Sequence, residues 1–191
     1  CVMQNLDVET LYEATLSMEK EHLADVACEC LHLECPEPDM KEWQTMVDTL
    51  KNLQKDVTVA LVGKYTSLHD AYISVVESLK HGGLAHKSNV TIKWISSEEL
   101  NDDNAEELLG DVSGVIVPGG FGDRGTDGMI SAIKYARENN VPFLGLCLGM
   151  QLSIVEFARH VCGFNDAHSI ELDPQTTHPV IHLMADQDGV E

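Results

Sequence analysis

Phe143-Leu144-Gly145-Leu146-Cys147-Leu148-Gly149-Met150-Gln151 runs from a short apolar segment, through a cysteine framed by glycines, into a pattern with helical spacing. It reads as a β-strand over Phe143–Cys147 followed by a helix over 150–161. The two glycines, each two residues from Cys147, let the chain turn tightly and lift the sulfur above the sheet edge. A helix starting there turns the positive end of its dipole toward that sulfur. This is the cysteine form of a nucleophile elbow, with Cys147 as the candidate nucleophile.

Outward from the elbow the strand-then-helix alternation repeats. Val57-Thr58-Val59-Ala60-Leu61-Val62, Val90–Ile95 and Val112–Val117 read as buried strands. Helices are expected over 70–81, closed by Gly82-Gly83, over 97–109 with Ser97 as N-cap, and over 126–140. Such alternation predicts an α/β fold, a three-layer sandwich around a mainly parallel sheet of flavodoxin-like type. Ligands in these folds collect at the carboxyl ends of strands, which directs attention to the loops after Val117 and Leu146.

The first of those loops is Pro118-Gly119-Gly120-Phe121-Gly122-Asp123-Arg124-Gly125. Its glycines expose backbone amides and leave no side chains in the way. Acyl transfer at Cys147 needs donors aimed at the developing oxyanion, and the amides of Gly120 and Leu148 are the nominated pair. Gly83-Leu84-Ala85-His86-Lys87-Ser88 only hints at a phosphate-binding loop. It lacks the required spacing and precedes a strand, so no nucleotide triphosphate site is expected there.

The 191 residues suffice for one domain plus an appended segment. The division expected is a helical linker over 1–55 and an α/β domain over 56–191. In the linker, helical periodicity runs from Asp7 to about Leu33. A second helix from Pro38-Asp39 carries Met40, Trp43, Met46, Val47, Leu50 and Leu53 on one stripe. Asp and Glu number 32 against 12 Lys and Arg, a net charge of −20 that disfavours nucleic acid and anionic membranes as partners. No apolar run approaches the roughly 20 residues of a membrane span, and no signal peptide is recognisable, so a cytoplasmic location is expected. Cys1, Cys28, Cys30, Cys35, Cys147 and Cys162 are too sparse for a disulfide scaffold. Cys28, Cys30 and Cys35 with His32 lack paired zinc-ligand spacing, so free thiols and no metal are expected.

The stretch from Val57 onward resembles the glutaminase domain of the CTP synthases, which are class I (triad-type) glutamine amidotransferases. The resemblance rests on Gly63-Lys64-Tyr65, Leu68-His69-Asp70-Ala71-Tyr72, Ser74-Val75, Lys80-His81-Gly82-Gly83, Pro118–Gly125, Leu144–Gln151 and Glu156-Phe157-Ala158-Arg159-His160. The leading segment, with Leu11-Tyr12-Glu13 and Cys35-Pro36, is similar to the tail joining that family's synthetase domain to its glutaminase domain.

The resemblance implies that Cys147 attacks the side-chain amide of L-glutamine, releases ammonia and leaves a thioester that water hydrolyses. It implies that Gly120 and Leu148 hold the oxyanion, and that Gly120, Phe121, Gln151 and Glu171 bind glutamine. Phe121 and Arg124 would border a site for GTP as activator. No cofactor belongs to this domain; ATP, Mg2+ and UTP belong to the synthetase domain, and the full-length enzyme would be a homo-oligomer, a tetramer. Two alternatives stay open: the glutaminase of another amidotransferase, such as GMP, carbamoyl phosphate or anthranilate synthase, and a non-catalytic regulatory or assembly module.

Two departures accompany the resemblance. The family places a His and a Glu, separated by one residue, far downstream of the elbow, and the 44 residues after Cys147 contain no such pair. His160, His168, His178 and His182 do not sit in that motif, so this stretch alone is expected to lack the base and to be inactive. Asp166-Ala167-His168-Ser169-Ile170-Glu171-Leu172 keeps Glu171 while changing its neighbours.

Overall fold

A computed structural model of the chain describes residues 2–4 and 6–184, so Cys1 lies outside the described residues. Three helices precede the first strand: α1 (Glu13–Lys20), α2 (Leu23–Leu31) and α3 (Lys41–Lys51). Where periodicity predicts one helix over Asp7–Leu33, His22 adopts left-handed backbone at φ 58° and ψ 36° and divides it. Hydrophobic spacing is blind to a one-residue reversal of this kind. The break lets α1 pack against both α2 and α3. Leu16 and Val47 become buried there, whereas Leu11 and Leu23 face out. Trp43 Nε1 donates to the Tyr12 carbonyl at 2.7 Å, and Lys51 Nζ meets the Glu13 carboxylate at 2.7 Å. By its contacts the chain divides into two compact units, Cys1–Lys55 with Gly82–Asn89, and Asp56–His81 with Val90–Glu191.

The remaining elements are β1 (Lys55–Gly63), α4 (Ile73–Ala85), β2 (Ser88–Ser96), α5 (Ala105–Leu109), β3 (Gly114–Val117), α6 (Thr126–Glu138), β4 (Phe143–Gly145), α7 (Leu148–His160), β5 (His168–Ser169) and β6 (Pro179–Ile181). The main sheet has the order β2-β1-β3-β4, and β1, β3 and β4 run parallel. Alternate residues point to opposite faces. Ala60, Val62, Val115 and Val117 pack with Met129, Ile133, Leu152 and Val155 from α6 and α7. Leu61 and Ile116 pack on the other face with Tyr72, Val75, Val76 and Leu79. Both faces are thus covered, which is why these strands read as continuous apolar runs. The architecture is the expected α/β sandwich around a parallel sheet.

Two expected helices differ. Over 97–109 only α5 is helical, and Ser97 is no N-cap: its N–H donates to the Gly63 carbonyl at 3.0 Å. Asn101 and Asn104 instead close local turns, Asn101 Oδ1 accepting from the Asp103 and Asn104 N–H groups and Asn104 Oδ1 from the Asn101 N–H. Short polar side chains that capture nearby backbone compete with the helix in this way. The second, expected over 70–81, begins as a 3-10 turn at His69–Tyr72 and continues through Gly82-Gly83 to Ala85. The left-handed residue that follows is Lys87, at φ 54°. Among the described residues no helix is long and apolar enough to cross a membrane.

Candidate active site

β4 ends at Gly145 and α7 starts at Leu148, leaving Leu146 and Cys147 between them, with Cys147 at the apex as the helix N-cap. Its backbone sits at φ 52° and ψ −110°. A non-glycine residue there carries strain on the order of 1–3 kcal/mol, and such strain persists where packing over-determines it. The packing is supplied by the flanking glycines. A Cβ on Gly145 would lie 2.6 Å from the Gly149 carbonyl atoms, and one on Gly149 would lie 2.0 Å from the Val117 oxygen. Both glycines therefore serve close approach of backbone to backbone, and the result is an exposed thiol at the strand-to-helix apex.

The glycine loop comes to the same place. A Cβ on Gly119 would stand 3.3 Å from Cys147 Cβ and 3.8 Å from its Sγ. The Gly119–Gly120 peptide, which carries the Gly120 N–H, thus begins beside the nucleophile. Leu148 is the first residue of α7, where helix geometry leaves the N–H without an intrahelical acceptor. Gln151 lies one turn further, half-buried, its N–H donating to the Cys147 carbonyl at 3.1 Å. Gly119, Gly120, Leu148 and Gln151 are therefore gathered around or directly after Cys147.

Other candidates lie further out. Phe121 is 86% exposed, and Arg124 pairs with Glu98 at 2.5 Å on the surface. Glu171 is exposed after β5, its N–H donating to Ser169 Oγ at 3.3 Å. His160 ends the helix that Cys147 begins. At about 1.5 Å rise per residue it stands roughly 20 Å along the axis, too far to take the thiol proton. Its Nδ1 instead faces Glu156 Oε1 at 3.2 Å. His178 donates from Nδ1 to Asp166 at 2.5 Å, His168 Nδ1 accepts the Ser169 N–H at 2.9 Å, and His182 Nδ1 donates to the Leu183 carbonyl at 2.9 Å. Burial, and then Arg159, hold His168 below the ordinary histidine range.

Of the four early thiols and His32, Cys28 is hydrogen-bonded to Cys35, while Cys30 is exposed. Among the described residues no group of three or more His, Cys, Asp or Glu could hold a metal ion.

Two features had no role in the sequence reading. Lys64, directly after β1, is only 5% exposed and donates from Nζ to the Phe121 carbonyl at 3.1 Å and to the Gly122 carbonyl. Burial pushes its ammonium below the ordinary lysine range, while Asp123 acts the other way. A lysine closing a buried strand in so acidic a chain was the available signal. The second is Glu156 of α7, 1% exposed and gripped by Arg137 through Nε at 3.1 Å to both carboxylate oxygens and through a terminal nitrogen at 2.8 Å. It ties α6 to α7 behind the elbow.

A glycine loop and a strained, exposed cysteine on a parallel α/β sheet define a class. Residues 67–188 match the family described as "Glutamine amidotransferase class-I", and the chain belongs to that family. Within it, the whole chain aligns with CTP synthases: it is 57% identical over 190 residues to that of Clostridium beijerinckii and 56% identical over 190 residues to that of Lactococcus lactis subsp. cremoris. It spans 35% and 36% of those two proteins, about a third of their length. A solved structure, the Trypanosoma brucei CTPS glutaminase domain with bound acivicin, matches with a TM-score of 0.65 at 40% identity, over 69% of this chain and 51% of that one.

Proposed function

We propose that this chain is the ammonia-generating part of a CTP synthase. The observation that carries the reading is Cys147, exposed and strained at the β4–α7 apex with Gly119 of the glycine loop against it. In this reading the Cys147 thiolate attacks the side-chain carbonyl carbon of L-glutamine. The electron pair moves onto the oxygen, and the amides of Gly120 and Leu148 meet the resulting oxyanion. Collapse expels ammonia, which takes the proton originally on the thiol, and leaves a γ-glutamyl thioester. Water then cleaves the thioester to glutamate and restores the thiol.

Gln151 and Glu171 are assigned to the amino-acid end of glutamine, with Gly120 and Phe121 completing the pocket. The exposed Phe121 ring and Arg124 form the edge at which GTP would act. UTP, ATP and Mg2+ are assigned to a synthetase domain in the same tetrameric enzyme, where the ammonia is consumed in making CTP, and to none of the residues above. A cytoplasmic location goes with this assignment.

The test is made in the full-length enzyme. Acivicin is expected to label Cys147 and to stop glutamine-dependent CTP formation. Cys147→Ala is expected to abolish glutamine hydrolysis while leaving CTP formation from added ammonia intact. Glutamine hydrolysis that survives Cys147→Ala would overturn the reading and favour a non-catalytic role for this fold.

A further inference from the structure

A loop with three glycines between positions 119 and 122 loses much backbone freedom when its amides are held toward one point. Something must hold it. Its start is continuous with β3, and its end is tied by Arg124 to Glu98 and by Thr126 Oγ1 donating to the Asp123 carbonyl at 2.7 Å. The middle rests on Lys64. The lysine Nζ binds the carbonyls of Phe121 and Gly122, and its aliphatic stem runs beneath Gly120. A Cβ on Gly120 would stand 3.2 Å from Lys64 Cδ, so the stem and the glycine are matched in shape. Lysine is rarely buried unless paired, and here its partners are two carbonyls rather than a carboxylate. Because a trans peptide is planar, carbonyls turned toward Lys64 fix the N–H groups of Gly122 and Asp123 in the opposite direction, while Gly120, just before them, rests on the lysine stem.

Lys64 is itself held. Its N–H and that of Tyr65 both donate to Tyr72 Oη, at 3.2 and 3.3 Å. Tyr72 is 5% exposed, and a Cβ on Gly63 would lie 2.7 Å from that oxygen. Gly63, Lys64, Tyr65 and Tyr72, which the sequence reading singled out without a role, therefore form one mount under the loop.

We propose that Lys64 is the positioning residue of the oxyanion loop, holding the Gly119–Gly120 peptide against Cys147 through the carbonyls of Phe121 and Gly122. The inference rests on the glutaminase reading above and deepens it. Lys64 acts through the loop and touches no reacting atom.

The test compares wild type, Lys64→Met and Tyr72→Phe in the full-length enzyme. Four quantities are read: kcat and KM for glutamine hydrolysis, the rate of CTP formation from added ammonia, and the rate at which iodoacetamide alkylates Cys147. Alkylation is a displacement at a saturated carbon and generates no oxyanion. For Lys64→Met, kcat is expected to fall roughly 10- to 100-fold, the scale of a displaced oxyanion donor, with KM changing less than about threefold. Alkylation and ammonia-dependent activity are expected to stay near wild type. Tyr72→Phe is expected to show a smaller loss of the same kind.

A kcat within twofold of wild type overturns the proposal. So does a loss shared by alkylation or by the ammonia reaction, because that marks general damage to the site. If Lys64→Met does not fold, Tyr72→Phe decides by the same criteria. Wild-type enzyme that hydrolyses no glutamine refutes the glutaminase reading instead, which keeps the two failures distinct.

Discussion

Gly149→Ala tests how the elbow is built. The new methyl would lie 2.0 Å from the Val117 oxygen and 2.8 Å from its carbonyl carbon, where real Cβ contacts essentially never fall below 3.0 Å. Relief therefore needs at least 3.0 − 2.0 = 1.0 Å of retreat. The obstacle is strand backbone at the centre of the sheet, so the first turn of α7 is what must move. That turn carries the Leu148 amide and is capped by Cys147, while Gly119 stays with β3. Stability is a poor reporter: overpacking costs about 1–3 kcal/mol, and replacing a helical glycine by alanine returns about 1 kcal/mol. Activity is the sensitive one, because a misplacement of about 1 Å between reacting groups costs on the order of 100-fold. Steady-state glutamine hydrolysis by the full-length variant is expected to fall by about that factor, with ammonia-dependent synthesis preserved. A kcat within threefold of wild type would mean the elbow does not depend on this contact, and the geometric account of the two glycines would fail.

Arg137→Ala leaves the Glu156 carboxylate buried without its guanidinium, with His160 still within ion-pair distance. Removing one member of a buried pair costs about 3–5 kcal/mol, and the lower end is expected because Arg137 is partly in water. Urea unfolding reads this directly, and a loss under about 1 kcal/mol would show that the α6–α7 clamp is not a stabilising feature. Asp166 accepts from Thr177 Oγ1, from the Thr177 N–H at 2.9 Å and from His178, and these bonds, the Thr177 hydroxyl first, hold its carboxyl well below the usual aspartate range. A depressed carboxyl contributes stability that is fully present above the unfolded value of about 3.9 and is lost as pH falls through the lower folded value. Side-chain NMR is thus expected to find Asp166 still ionised at about pH 3, where an ordinary aspartate is mostly protonated. Half-titration near pH 4 would refute the bonding scheme.

Short apolar runs located the four described strands of the main sheet to within two residues at each end, and the inner strands β1 and β3 were the plainest because a strand buried on both faces must be apolar throughout. It misplaced helix ends wherever short polar side chains took over the backbone. Asn101 and Asn104 shortened the helix expected from Ser97, and nothing in the spacing of Leu100, Leu108 and Leu109 opposed the longer one. The left-handed reversal at His22 was equally invisible, since one residue of unusual φ barely disturbs an apolar stripe.

The candidate nucleophile and the glycine loop were legible as patterns, because tight turns and close backbone approach can be met by few residue types other than glycine. What the linear order could not state is which glycine touches Cys147, or that Lys64, more than fifty positions earlier, lies beneath the loop. Those facts depend on β1 and β3 being neighbours in a parallel sheet, which brings the ends of both strands to one edge. Residue type and spacing thus determined the local conformations and the chemistry on offer. The pairing of distant strands decided which groups meet, because parallel neighbours are joined only through crossovers whose contacts are long-range.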